Sequence, residues 1–189
     1  MKDRKENNII DLKIIVIGNG KANTPQFINK WTKNSINDKY EATIVSEFSF
    51  KIIENEGKFY RIQIFDLAMQ DHNYSILKIF VKDSQGIIFM TDAKNIETRK
   101  NIIKLKNNVE YKTFLDEIPC ILVENNIDLL HDDEIDDPTF EEFCEKNGFV
   151  KGFRVSSKTG ENVDEAMTYF IKFIIKRTEL NNSKKNHFH

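Results

Sequence analysis

Cysteine is nearly absent. The 189 residues hold only Cys120 and Cys144. Both fall in segments that read as core elements, so a disulfide framework is excluded and a reducing compartment is the simpler setting. An excess of one charge is lacking too. Lys and Arg number 28 against 30 Asp and Glu, a formal net charge of −2. That balance gives no case for nucleic acid or for a general attraction to acidic surfaces. No apolar run approaches the ~20 residues of a membrane-spanning helix. The opening MKDRKENN has no apolar stretch of the kind a signal peptide needs. Lysine stands at position 2, where N-myristoylation needs glycine, and the closing KKNHFH offers no cysteine to a lipid. A cytoplasmic chain without a membrane anchor of its own is the expectation.

What is present describes an ordinary globular chain, 40% hydrophobic and 31% charged, long enough for one domain with a proper core. The stretch that organises it is KIIVIGNGKANTPQFINKW, residues 13–31. An apolar run stops at Gly18, a short polar turn follows, and Pro25 suits the first position of a helix with Thr24 as its N-cap. Strand, glycine turn and helix N-terminus are the frame of a phosphate-binding loop.

The rest of the chain alternates. Strands are expected at Leu12–Ile17, Thr43–Ile53, Phe59–Phe65, Gly86–Met90, Ile118–Val123 and Phe153–Val155. Between the second and third, ENEG (Glu54 to Gly57) reads as a hairpin turn, and Tyr60, Ile62 and Ile64 alternate with Arg61 and Gln63 as in a half-buried strand. Helices are expected at Pro25–Asn34, Ser75–Val81, within residues 95–114, at Pro138–Lys146 and at Val163–Lys176, the last carrying Ala166, Tyr169, Phe170, Phe173 and Ile174 on one face. Residues 1–11 read as a polar arm, 12–178 as the domain and 179–189 as a polar, mobile tail. This order predicts a doubly wound, mostly parallel six-stranded α/β sheet with one antiparallel strand and helices on both faces. A ligand would lie beyond the carboxyl ends of the strands, where loops begin at Gly18, Asp66, Asp92, Glu124 and Ser156.

In that order the loops resemble the five nucleotide motifs of small GTPases, and the Rab family in particular, over about residues 12–178. YEATIVSEF (Tyr40 to Phe48) is similar to switch I and FDLAMQD (Phe65 to Asp71) to the switch II signature W-D-x-A-G-Q-E. NNID (Asn125 to Asp128) is similar to N-K-x-D, and VSSK (Val155 to Lys158) to T-S-A-K. FEEFCEKNGFVKGF (Phe140 to Phe153) resembles the Rab branch that serves lysosome-related organelles.

The resemblance assigns roles residue by residue. Aligned without gaps to G-x-x-x-x-G-K-[ST], Gly18 takes the first glycine, Asn23 the second, Thr24 the phosphate-binding lysine and Pro25 the magnesium-binding hydroxyl residue. Thr24 brings no positive charge, and Pro25 has neither hydroxyl nor N–H. A shifted Gly20–Lys21 pair leaves too short a loop and is followed by Ala22. Met69 stands where a glycine N–H would meet the γ-phosphate. Thr43 and Asp66 remain at the ancestral magnesium positions, and Gln70 at the water-orienting one. On the base side Asn125 and Asp128 match the guanine-reading residues, Asn126 replaces the lysine that packs over the ring, and Ser156, Ser157 and Lys158 match the last motif. Phe48, Phe65 and Phe80 fall on the aromatic triad that Rab effectors read; each is open to the plainer reading of core packing.

The resemblance therefore implies GTP hydrolysis as the family activity, with the missing lysine and hydroxyl arguing against it here. No cofactor is expected, or only weakly bound GTP or GDP, with magnesium present only alongside nucleotide. The partners implied are proteins that meet the switch face, in trafficking or within a larger assembly. The rival expectation is an unconventional GTP-binding GTPase with weak or partner-assisted hydrolysis. The run Asp132 to Asp137 reads as a solvated loop, Cys144 as core, and the histidines show no metal spacing.

Overall fold

A computed structural model describes residues 9–18, 21–33, 44–45, 48–68, 79–113, 118–131 and 137–186. The strands are β1 (Ile9–Gly18), β2 (Ile44–Val45), β3 (Phe48–Asn55), β4 (Lys58–Ala68), β5 (Gly86–Asp92), β6 (Cys120–Asn125) and β7 (Gly152–Arg154). The helices with described bounds are α1 (Thr24–Lys33), α2 (Glu97–Thr113), α3 (Pro138–Lys146) and α4 (Val163–Asn186). Among the described residues one sheet of seven strands runs β2-β3-β4-β1-β5-β6-β7. Its pairs from β4 to β7 are parallel, and only β3 runs against its neighbours. The mostly parallel sheet with one reversed strand is as the sequence predicts. The seventh strand arises because the expected run from Thr43 to Ile53 is split into β2 and β3, which turn back on each other with Val45 opposite Phe48.

The sheet is buried on both faces. On one, Leu12, Ile14, Val16, Ile62, Ile64, Ile88, Met90, Ile121 and Val123 pack against Phe27, Ile28 and Trp31 of α1 and Met167, Phe170 and Ile174 of α4. On the other, Ile15, Ile17, Ile87, Phe89 and Leu122 meet Ile102 of α2 with Phe140 and Cys144 of α3. Successive strand residues face opposite sides, so continuous apolar runs such as Ile14 to Ile17 are what a strand covered by helices on both sides requires. Cys120 and Cys144 are free and buried. Burial pushes the Cys144 thiol up to about 12, as suits an inert core residue.

Several boundaries differ from the predicted ones. β1 begins at Ile9, inside the expected polar arm, because each residue from Ile9 to Gly18 finds a partner on β4. The β3–β4 turn closes to Glu56 and Gly57, both at positive φ (50° and 75°), the left-handed geometry that a two-residue hairpin loop demands. Residues 179–186, expected as a mobile tail, continue helix α4. There Glu179 receives the Lys58 ammonium at 2.6 Å. Residues 79–81 are helical, while the rest of the expected Ser75–Val81 helix lies outside the described residues. So do residues 132–136 of the acidic run and His72, His187 and His189. Asp137 is no part of a solvated loop: its carboxylate caps α3 through the Thr139 N–H at 3.0 Å and accepts from Arg99 at 2.9 Å.

Arg99 belongs to a buried ion cluster that the sequence pattern did not reveal. Its guanidinium, with the side chain 7% exposed, meets both oxygens of Glu124, 1% exposed, at 2.6 and 2.9 Å. Arg154 reaches the same carboxylate at 2.8 Å. The Arg99 guanidinium also lies 5.1 Å from the centre of the Phe140 ring. One cluster thus ties α2, β6, β7 and the start of α3. Such a cluster suffers more from the loss of one member than from the loss of a matched pair, because a stranded buried charge is the costly species. Arg99→Leu is therefore expected to lower unfolding free energy by about 3–5 kcal/mol. Arg99→Leu with Glu124→Leu should recover most of that loss; urea denaturation of the two variants measures both.

Candidate functional site

The five loops predicted to form a site begin at the carboxyl ends of β1, β4, β5, β6 and β7, and the parallel register places those ends side by side. What each loop contributes follows from its side chains.

Asn125 is the hub. It is fully buried. Its Nδ2 donates to the Ala22 carbonyl at 2.9 Å. Its Oδ1 accepts from the Ser157 N–H and the Ser157 hydroxyl, both at 2.9 Å. One amide thus joins the loop after β1 to the loops after β6 and β7. Asn126 stands at positive φ (71°), a conformation asparagine tolerates better than most residues. Its amide donates to the Asp92 carboxylate at 2.9 Å and to the Lys21 carbonyl at 3.3 Å. Asp92, buried at the end of β5, is a participant to which the sequence reading gave no role. The signal available was its place at a strand end on the ligand side.

Asp128 follows in a 3₁₀ turn, Ile127–Leu129. Its Oδ1 accepts from the Ser156 hydroxyl at 2.7 Å and its Oδ2 lies 3.5 Å from the Lys158 ammonium. Ser156 and Ser157 are buried; the Lys158 side chain is 71% exposed. That pair is screened by water and adds little to stability. The structure thus brings Asn125, Asn126, Asp128, Ser156, Ser157 and Lys158 together at the ends of β6 and β7.

The loop after β1 is built differently from the expectation in one respect. α1 begins at Thr24, so Asn23 takes the cap position: at φ 55° its carbonyl accepts from the Gln26 and Phe27 N–H groups at 3.2 and 3.3 Å. Pro25 then falls within the first turn, where its missing N–H costs nothing. The Thr24 hydroxyl, released from capping, turns to Asp66 at the end of β4, 2.7 Å from Oδ1 and 2.9 Å from Oδ2. Gly18 makes this possible. A Cβ there would stand 2.5 Å from the Thr24 methyl, so any larger residue would push Thr24 away. Thr43, Met69 and Gln70 lie outside the described residues.

Phe48, Phe65 and Phe80 form a row. Ring centres are 5.0 Å apart for Phe48 and Phe65 and 6.1 Å for Phe65 and Phe80. All three are half-buried, neither sealed in the core nor fully presented. The Lys13 ammonium lies 5.1 Å from the Phe65 ring centre. Burial, partly offset by the charge of Asp83, lowers the Lys13 pKa. Among the described residues no cluster of His, Cys, Asp and Glu has the makings of a metal site, and no helix is long and apolar enough to cross a membrane.

Sheet order, strand-end loops and the Asn125–Ser157, Asp128–Ser156 pairings together define a small-GTPase domain. Comparison with protein families agrees: the Ras family model matches residues 13–176, and the chain belongs to that family. Rabs are among its curated relatives. It is 28% identical over 166 residues to the Ras-related protein Rab-32C of Dictyostelium discoideum, covering 88% of this chain and 74% of the relative. To the human Ras-related protein Rab-7L1 it is 25% identical over 174 residues, covering 88% and 83%. To the mouse Ras-related protein Rab-32 it is 26% identical over 164 residues, covering 85% and 74%. The chain is a Rab-like small GTPase by fold and descent.

Asn125 carries the prediction of this site. Asn125→Ala strands the Ala22 carbonyl and the Ser157 N–H in the interior, at about 1–3 kcal/mol for each group left unpaired. Chemical denaturation should show a loss of about 2 kcal/mol or more. Lys158→Ala, at the exposed pair, should change stability by under ~1 kcal/mol.

Proposed function

We propose that this chain is a Rab-like protein-interaction module that holds one conformation without a nucleotide switch, working as a scaffold part in a larger assembly or in trafficking. Recruitment would come from protein contacts, in the cytoplasm or at a membrane held by a partner. The observation that carries this reading is the Thr24–Asp66 hydrogen bond. In the ungapped register Thr24 stands where a phosphate-binding lysine belongs. Its hydroxyl takes the carboxylate that would otherwise bind magnesium through water. Pro25, next in the chain, offers neither hydroxyl nor N–H. The phosphate and magnesium end of the site does not fit its ligands. Losing about three charge-assisted contacts at ~1.5–3 kcal/mol each weakens binding on the order of 10³-fold or more. The loop does not need phosphate for its shape, because Asn125 and Asn126 hold the carbonyls of Ala22 and Lys21. The surface suited to a protein partner is the row of Phe48, Phe65 and Phe80, half-buried aromatics of the kind that anchor interfaces.

A second reading is favoured by the base corner. Asn125, Asp128, Ser156, Ser157 and Lys158 keep an arrangement that fits a guanine ring. On that reading the chain binds GTP or GDP weakly through the base, and a partner supplies the missing cation. GTP titration with magnesium separates the two. The wild-type chain is expected to show no saturable binding in the micromolar range. Restoring the loop with Asn23→Gly, Thr24→Lys and Pro25→Thr together should tighten GTP binding by about 10²–10³-fold. Tight binding by the wild-type chain would contradict the proposal.

A further inference from the structure

The Thr24–Asp66 contact joins two elements that are remote in sequence, the first turn of α1 and the last turn-ward residues of β4. Asp66 follows Phe65, the central ring of the aromatic row. In a strand these neighbours point to opposite faces. Asp66 shares the face of Ile62 and Ile64, which pack toward α1, and Phe65 packs with the core on the other side. Phe65 is also directly paired with Phe48 across the β3–β4 ladder. The strand end is therefore gripped on one face by a hydroxyl and carries the aromatic row on the other.

We infer that the Thr24–Asp66 pair is a lock that fixes the end of β4 and so holds Phe65 in register with Phe48 and Phe80, coupling the loop after β1 to the aromatic face with no ligand in between. Three features make this a device and not an incidental contact. Asn23 takes over the capping of α1 and frees the Thr24 hydroxyl. Gly18 leaves the space in which the Thr24 methyl sits. The acceptor is a carboxylate, so the bond is charge-assisted and among the stronger kinds. The inference rests on the reading above only in treating the aromatic row as a partner surface; the lock itself is independent of whether nucleotide binds.

Amide hydrogen exchange on the full chain tests it. Thr24→Val removes the hydroxyl and keeps the shape; Thr24→Ser keeps the hydroxyl. In Thr24→Val, exchange across residues 64–68 and 48–50 is expected to rise about 5–10-fold, with β6 and α4 unchanged. Thr24→Ser should stay within about twofold of wild type. Unchanged exchange at the end of β4 in Thr24→Val overturns the lock, and so does an equal rise throughout the sheet. Should Thr24→Val not fold, Asp66→Asn, which keeps an acceptor oxygen and drops the charge, must show a smaller rise confined to the same segments; no rise overturns the proposal. Nucleotide content of the sample is scored separately, so failure of the lock and failure of the scaffold reading are told apart.

Discussion

One buried amide carries the ligand end of this fold. Asn125 sits where strand β6 gives way to its loop, and all of its polar atoms face protein groups: the Ala22 carbonyl on one side and the Ser157 N–H and hydroxyl on the other. Because it is fully buried, none of these groups has water as an alternative, and each bond is worth its full desolvation cost when broken. The loop after β1 is thereby shaped from behind. Asn126 and the Thr24–Asp66 pair pin it at further points, from β5 and β4. These contacts come from three strand ends and meet on Lys21, Ala22 and Thr24.

Two properties travel together in a nucleotide switch. One is the shape of the strand-end loops, set by side chains of β5, β6 and β7. The other is the charge that grips a triphosphate and its metal, which needs a lysine, a hydroxyl and free N–H groups at the start of α1. In the proposed ungapped register Thr24 and Pro25 stand in those places. The wall behind the loops is further stiffened by the cluster of Arg99, Glu124, Arg154 and Asp137, whose charges balance and whose partners are close. Its two best-buried members lie on α2 and β6, so that cluster joins sheet to helix layer beneath the site. A buried cluster of this kind adds little net stability over apolar packing but tolerates little disturbance.

Much of this was legible in the sequence. Continuous apolar runs gave away strands covered on both faces, and Pro138 to Lys146 was bounded correctly because Gly148 stands just past its end, although the Asp137 cap at its start was read as loop. The grouping of Asn125, Asp128, Ser156 and Lys158 was legible because they fall on strand-end loops in order. Three things were not. The shift of α1 by one residue depends on the positive φ at Asn23, which sequence alone does not assign, and it changes Thr24 from a cap to a partner of Asp66. The extension of α4 to Asn186 runs through polar residues that carry no apolar stripe, so no periodicity marks it. The Arg99 cluster joins residues from four separate segments, and no local pattern announces charges that pair only after folding.

We propose that this Rab-like domain keeps its loop geometry without a nucleotide. The decisive quantity is the nucleotide content of the protein purified from cells, denatured and resolved by chromatography. A folded, cooperative preparation that releases no guanine nucleotide is expected. Release of one GDP or GTP per chain would contradict it.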